Sequence, residues 1–121
     1  MQGLMILVAG PYRSGTNDDP ELMQKNLSRL ESVTLDLFRA GHLPVIGEWL
    51  ALPLLHLAGS KRPGDAPYNE ILYPVAERLL QKCDAVFRMN GESKGADEDV
   101  RIAKERGLPI FFNLSEVPGC A

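Results

Sequence analysis

The segment SKGADEDV, near the carboxyl end of the chain, places Asp97, Glu98 and Asp99 directly after a Ser-Lys-Gly loop. Basic residues such as Arg101 follow, and this order of charge stabilises a helix through its dipole. A carboxylate at such a position can also act as a nucleophile or stabilise a cationic transition state. The charge pattern alone favours a helix start. Whether the triplet also does chemistry depends on where the fold places it.

Four short apolar segments of the sequence predict strands. The run LMILVAG predicts a strand over Leu4–Ala9 that is buried on both faces, because it is continuously apolar and ends in Gly-Pro. Three later strands are predicted in the segment HLPVIG, over Asp84–Met89 and in the segment LPIFFN.

Helical periodicity occupies the intervals between these strands. Asp19 and Pro20 start a helix that Gly41 ends, and its predicted core residues are Met23, Leu27, Leu30, Val33, Leu37 and Phe38. A second helix is predicted in EWLALPLLHLAG. A third covers Tyr68–Lys82, where Pro74 implies a kink or a later start. The acidic triplet opens the last helix, which Gly107 closes.

Alternating strands and helices predict an α/β fold. We expect a flavodoxin- or Rossmann-like three-layer sandwich with a mainly parallel sheet of four or five strands, formed by residues 1–121 as a single domain. The strands Leu4–Ala9 and Ala85–Met89 should be adjacent and central. Ligands bind such sheets beyond the carboxyl ends of the strands, where the strand order reverses. The loops expected there are Gly10–Asp19 and Asn90–Gly95.

Composition and charge narrow the possible partners. The 121 residues are 45% hydrophobic and 24% charged, as in ordinary globular domains, and the net charge of −3 does not favour binding to duplex nucleic acid. No apolar run reaches the roughly 20 residues that span a bilayer. The N-terminal sequence lacks the pattern of a signal peptide, so a cytoplasmic location is expected.

Metal and dinucleotide sites are not indicated. His42 and His56 have no partners at metal-ligand spacing, and Cys83 and Cys120 suggest neither a disulfide framework nor a zinc site. The first loop lacks the glycine spacing of a dinucleotide fingerprint and the Gly-Lys-Ser/Thr of a phosphate loop. We therefore expect no metal and no cofactor.

The segment EWLALPLLHLAG is apolar nearly all round, more than one amphipathic face requires. One interpretation is a fully buried helix. The other is a homo-oligomer, with a dimer favoured, in which Trp49, Leu52, Leu55 and His56 lie at or near the interface.

Three segments, ILVAGPYRSG, CDAVFRMNGESKGADEDV and AKERGLPIFF, together resemble the nucleoside 2-deoxyribosyltransferase-like proteins, which include 2′-deoxynucleotide N-glycosidases. The resemblance implies a nucleoside or nucleotide ligand and a carboxylate that attacks C1′ of a deoxyribosyl group. The family's nucleophile falls on Asp99, followed by Val100 as in the family pattern. Glu98 would point about 100° away around the helix.

The two loops supply the other expected ligand contacts. A phosphate or sugar hydroxyls would be bound by Ser93, Gly95 and the start of the last helix. The guanidinium group of Arg13 would donate paired hydrogen bonds to the same phosphate. Tyr12 would stack on a base or pack the loop. The complete set of expected substrate-binding residues is Gly10, Tyr12, Arg13, Ser14, Asn90, Ser93 and Gly95.

The sequence departs from the family pattern at three positions. Asp99 replaces a glutamate, Leu7 replaces an aromatic residue, and Ala76 stands where the family has an acidic residue, while the adjacent Glu77 should face elsewhere on a regular helix. Two alternatives to glycosyl chemistry therefore stay open. One is a nucleotide-binding or regulatory module that retains the pocket without turnover. The other is an interaction protein that uses the WLALPLLHL segment.

Overall fold

The computed structural model describes residues 3–120 and has the predicted α/β fold. The chain alternates between short strands and helices and ends in a 3₁₀ turn. In chain order the elements are β1 (Met5–Ala9), α1 (Pro20–Glu31), α2 (Thr34–Arg39), β2 (Leu43–Val45), α3 (Gly47–Leu57), α4 (Ala66–Leu80), β3 (Ala85–Arg88), α5 (Lys94–Glu105), β4 (Ile110–Phe111) and the 3₁₀ helix Leu114–Glu116.

The four strands form one parallel sheet in the order β2-β1-β3-β4. In the register, Leu7 is opposite Val45 of β2 on one side and Val86 of β3 on the other. The prediction that the first and third strands are adjacent and central is confirmed. Because the chain first moves outward to β2 and then returns past β1 to β3, the strand order reverses between β1 and β3, as in flavodoxin-like sheets.

Alternating residues of β1 pack into two separate hydrophobic cores, one on each face of the sheet. Ile6 and Val8 pack with Leu27, Leu30 and Leu37 on the face covered by α1 and α2. The intervening residues of β1 pack on the opposite face, against residues of α4 and α5; this second core comprises Leu7, Ala9, Leu79, Leu80, Cys83, Val86, Ala96 and Ala103. A strand buried on both faces explains the continuous apolar run in the sequence.

The first predicted helix is in fact two helices, α1 and α2. The hydroxyl of Ser32 donates to the carbonyl of Arg29 at 2.5 Å, and that of Thr34 donates to the carbonyl of Glu31 at 2.7 Å. Such side-chain bonds compete with the helical ladder and favour a break. The break changes the helical phase, so Phe38, predicted to be in the core, is 62% exposed, whereas Leu37 is fully buried.

Both internal prolines lie inside continuous helices. Pro53 lies within α3, and Pro74 lies within α4, which starts at Ala66 and is therefore not delayed by the proline. None of the helices in residues 3–120 combines the length and apolar character that a membrane crossing requires.

Candidate functional site

The candidate site lies where β1 and β3 end, at the reversal of strand order. Close backbone approach brings the two loops after these strands together. A Cβ atom at Gly10 would lie 2.7 Å from Leu30 Cδ2 and 2.9 Å from Met89 Cβ, and one at Gly91 would lie 2.6 Å from Pro11 Cγ. Gly91 also has a φ of 121°, which favours glycine. Glycine at both positions therefore lets the loops meet above the sheet.

A cavity of about 120 Å³ lies between these loops, the starts of α3 and α5, and one side of α4. It opens onto a wider groove of about 570 Å³. The cavity is lined by Leu7, Val8, Ala9, Gly10, Tyr12, Arg13, Ser14, Gly47, Glu48, Tyr68, Leu72, Tyr73, Ala76, Glu77, Ser93, Gly95, Ala96, Glu98 and Asp99. The groove shares Arg13, Ser14, Tyr73 and Gly95 and adds Pro11, Gly15, Asp18, Glu92 and Lys94.

Of the eight residues predicted to contact a ligand, the structure brings seven to the cavity wall, and Asn90 is the exception. Asn90 is exposed and lines neither the cavity nor the groove. The reason is the chain direction after β3: the peptides beyond Met89 turn sharply at Gly91, so the chain enters the cavity wall only at Ser93.

Internal hydrogen bonds hold the loop after β1. The buried hydroxyl of Thr16 donates to the carbonyl of Arg13 at 2.5 Å and accepts from the amide of Asp18 at 3.2 Å. The side-chain amide of Asn26, on α1, donates to the backbone carbonyl of Tyr12 at 2.8 Å. Asn17 and Asp18 adopt left-handed backbone angles, which Asn and Asp tolerate better than most residues. These hydrogen bonds fix the backbone of the loop and so fix the positions of Tyr12 and Arg13.

The guanidinium group of Arg13 is held by three contacts. It donates to both carboxylate oxygens of Asp18, at 2.7 and 3.2 Å, and to the carbonyl of Pro63 at 3.5 Å. It also lies 5.4 Å from the centroid of the Tyr68 ring, within range of a cation–π interaction. Asp18 raises the pKa of Arg13 through its hydrogen bond, and Arg13 in turn lowers the pKa of Asp18. A ligand anion would have to share Arg13 with Asp18.

The start of α5 forms another part of the wall. Ser93 is 6% exposed, and its side-chain oxygen accepts from the amide of Ala96 at 3.1 Å, as a helix N-cap. That oxygen is therefore engaged in the fold, and the hydroxyl proton is what Ser93 can still offer a ligand. Gly95 leaves the adjacent backbone uncovered, since a Cβ there would touch only Tyr73 Cε1, at 3.9 Å.

The three residues of the acidic triplet occupy different environments. Asp97 is exposed, and its carboxylate accepts from Arg88 at 2.9 Å, which ties α5 to the end of β3. Glu98 is exposed and forms an ion pair with Arg101 on the next turn of the helix; this hydrogen bond lowers the pKa of Glu98. Glu98 was expected to turn away from the ligand crevice, yet it also borders the cavity.

Asp99 differs from its two neighbours because it is only partly exposed and lines the cavity. Its pKa is raised to about 7, first by burial and then by the negative charges of Glu48, Glu98 and Glu77; Arg88 opposes this rise. Near neutral pH this carboxyl group can therefore exist in either protonation state.

Glu48 is a functional candidate that the sequence reasoning missed. It lies in the first turn of α3, immediately beyond β2, and burial raises its pKa to about 7. The available signal was position, because the Gly47-Glu48 pair follows a predicted strand and so falls at the same carboxyl edge of the sheet as the two loops. Glu48 is the one acidic residue in an otherwise mostly apolar segment, so composition and periodicity alone do not mark it as functional.

Glu77 also corrects a sequence-based expectation. It was expected to face away from the site, but it borders the cavity beside Ala76, and its charge contributes to the raised pKa of Asp99. Adjacent helical residues can both reach a cavity that abuts the side of a helix. With Glu48, Glu98 and Asp99, it gives the cavity wall four carboxyl groups.

The fold is that of a flavodoxin-like α/β protein, with a cavity at the switch in strand order. Within residues 3–120, no three His, Cys, Asp or Glu side chains are grouped so that they could hold a metal ion. Comparison of the chain with protein-family models, curated proteins and solved structures finds no match.

Proposed function

We propose that this chain binds a 2′-deoxynucleoside or its 5′-phosphate in the cavity and cleaves the N-glycosidic bond through the carboxylate of Asp99. The observation that carries this proposal is the presence of Asp99 and Glu48 in one cavity at the reversal of strand order. The motifs that resemble nucleoside 2-deoxyribosyltransferase-like proteins supply the ligand class.

The charges of the cavity suit this chemistry. Cleavage of an N-glycosidic bond develops positive charge on the sugar, which carboxylates stabilise. Glu48, Glu77, Glu98 and Asp99 all border the cavity. A phosphate would be repelled there and belongs in the groove, where Arg13 and Lys94 lie.

Two carboxyl groups with similar pKa values allow one to act as the nucleophile and the other as the proton donor. Because both Glu48 and Asp99 have a pKa of about 7, some molecules at neutral pH carry a protonated Glu48 together with an ionised Asp99. An ionised Asp99 would form a bond to C1′ while the bond from C1′ to the base nitrogen breaks and its electron pair leaves with the base. A protonated Glu48 is then the available proton donor to that base.

Release of the sugar completes the proposed reaction. A water molecule attacks C1′, the bond to Asp99 breaks, and the proton of the water returns to Glu48. Attack by a second base in place of water would give deoxyribosyl transfer.

The first experiment combines binding with product detection. Thermal shifts with the common 2′-deoxynucleosides and their 5′-monophosphates would identify ligands, and chromatography would measure free base released from each. We expect binding and base release by the wild type, and binding without release by Asp99→Asn. If the wild type responds to none of these compounds, the proposed function is wrong.

The alternative is a binding module without turnover. One observation favours it: Asp99 is shorter than the glutamate of the resembling family, and misplacement of a reacting group by about 1 Å can cost a hundredfold in rate. Ligand-induced stabilisation of the wild type with no detectable base release would support this alternative.

A further inference from the structure

The side chain of Tyr68 contains a buried polar group with no partner. Tyr68 is 3% exposed, and its hydroxyl oxygen makes no hydrogen bond to any residue in the part of the chain described, residues 3–120. Buried polar groups are nearly always hydrogen-bonded, because an unsatisfied one is costly. Such an exception points to a partner that comes from outside the chain.

The position of Tyr68 is fixed by contacts at both the backbone and the ring. Its amide donates to the carboxylate of Asp65, the N-cap of α4, at 3.0 Å. Its ring lies under the guanidinium of Arg13, with 5.4 Å between the guanidinium carbon and the ring centroid. The hydroxyl is therefore held in place and is not free to turn towards solvent.

Tyr68 lies in the wall of the cavity and not in that of the open groove, whereas Arg13 lines both. Leu72 and Ala76, from the same helix, add apolar side chains to the cavity wall. Burial raises the pKa of Tyr68; Arg13 opposes this rise, and the charges of Tyr12 and Glu48 add to it.

We propose that Tyr68 is a specificity-determining residue whose hydroxyl hydrogen-bonds the heteroaromatic base of the ligand. This inference rests on the proposed function. A flat, largely apolar ring with polar edge atoms matches a cavity wall in which apolar side chains adjoin the fixed hydroxyl of Tyr68. A hydroxyl both donates and accepts, so it can satisfy either a ring nitrogen or a carbonyl oxygen. The hydrated phosphate occupies the groove, beside Arg13 and Lys94.

The test compares Tyr68→Phe with its parent, each in the Asp99→Asn background so that no turnover occurs. Calorimetric titration uses 2′-deoxynucleoside 5′-monophosphates and, as a ligand without a base, 2-deoxyribose 5-phosphate. We expect Tyr68→Phe to weaken nucleotide binding about fivefold to tenfold, the usual range for loss of one hydrogen bond. Binding of 2-deoxyribose 5-phosphate should not change.

The stability of the free protein supplies a second measurement. Removing an unsatisfied buried hydroxyl should leave the melting temperature of Tyr68→Phe equal to or above that of its parent. Tyr73→Phe, which removes a hydroxyl from a residue that is 51% exposed, is the stability control and should not change the melting temperature.

The outcomes separate this inference from the proposed function. A lower melting temperature for Tyr68→Phe would show that its hydroxyl has a partner in the free protein and would overturn the inference. Equal nucleotide affinity of variant and parent, or an equal loss for 2-deoxyribose 5-phosphate, would also overturn it. If the parent binds no nucleotide, the proposed function is wrong and the inference is wrong with it.

Discussion

Glu48 at the start of α3 and Asp99 in α5 present carboxyl groups to one cavity, and the negative charge of Glu48 helps to raise the pKa of Asp99. The two residues are distant in the sequence and meet because both follow the carboxyl ends of parallel strands. Burial raises the pKa of each carboxyl to about 7, and the charge of Glu48 adds to the rise at Asp99, so the two acids form a coupled pair that titrates near neutral pH.

The coupled pair should make stability depend on pH. Both pKa values are about 7 in the folded protein and about 4 in an unfolded chain. Between these values the folded state binds more protons, so the free energy of unfolding should fall as pH rises from about 4 to about 7 and then level. The slope is at most about 1.4 kcal/mol per pH unit for each carboxyl.

Urea unfolding of the wild type and of the Glu48→Gln/Asp99→Asn double variant, at pH values from about 4 to 8, would measure this effect. The wild type should lose stability relative to the variant across that range. Parallel stability curves would show that neither carboxyl has a raised pKa.

Substitution in the acidic triplet should affect base release at one position only. Asp99→Asn should abolish release with ligand binding largely retained, because it removes the nucleophile and keeps the side-chain shape. Glu98→Gln is the matched control on the adjacent residue, and we expect it to change little, because Glu98 is exposed and paired with Arg101. Asp99→Glu should equal or exceed the wild-type rate. Unchanged release by Asp99→Asn in a chromatographic assay would remove Asp99 from the mechanism.

Arg13 and Asp18 should have opposite effects on phosphate binding. Arg13→Ala should weaken binding of a 2′-deoxynucleoside 5′-monophosphate about tenfold or more, because a charged hydrogen bond contributes roughly 1.5–3 kcal/mol. Asp18→Asn should strengthen it, because the carboxylate that now holds Arg13 loses its charge. The unphosphorylated nucleoside is the control ligand, and its affinity should change little in either variant. Calorimetry that finds equal affinity of the wild type for both ligands would reject the phosphate assignment.

We expect a homo-oligomer formed through α3, with a dimer favoured. The exposed apolar side chains of α3 include Trp49 (39%), Leu54 (44%) and Leu57 (80%). Leu55, which was expected at or near an interface, is only 7% exposed and packs inside the protomer. Leu57→Glu should shift the protein towards monomer in light scattering at micromolar concentration. Leu35→Glu on α2, where Leu35 is 54% exposed, is the matched control. A monodisperse wild-type monomer would contradict this expectation.

Local sequence patterns were sufficient to predict most of the fold. The continuous apolar run of β1 predicted a strand buried on both faces, and its alternating residues do enter two cores. The break between α1 and α2 escaped prediction because apolar periodicity continues across it. The hydroxyls of Ser32 and Thr34 bind carbonyls of the preceding turn, and periodicity carries no signal of this competition.

By itself, the sequence determined the order of the elements along the chain and the presence of Asp99 about one turn beyond Gly95, because strand and helix patterns, helix caps and helical phase depend on neighbouring residues. Only the tertiary structure decided that Glu48 joins Asp99, that Tyr68 buries a hydroxyl without a partner, and that Asn90 lies outside the cavity. The physical reason is burial. Removal from water raises the pKa of a carboxyl group and leaves a buried hydroxyl without a hydrogen-bond partner. The groups that exclude the water come from α3, α4 and α5, which are distant in the chain and meet only in the folded protein.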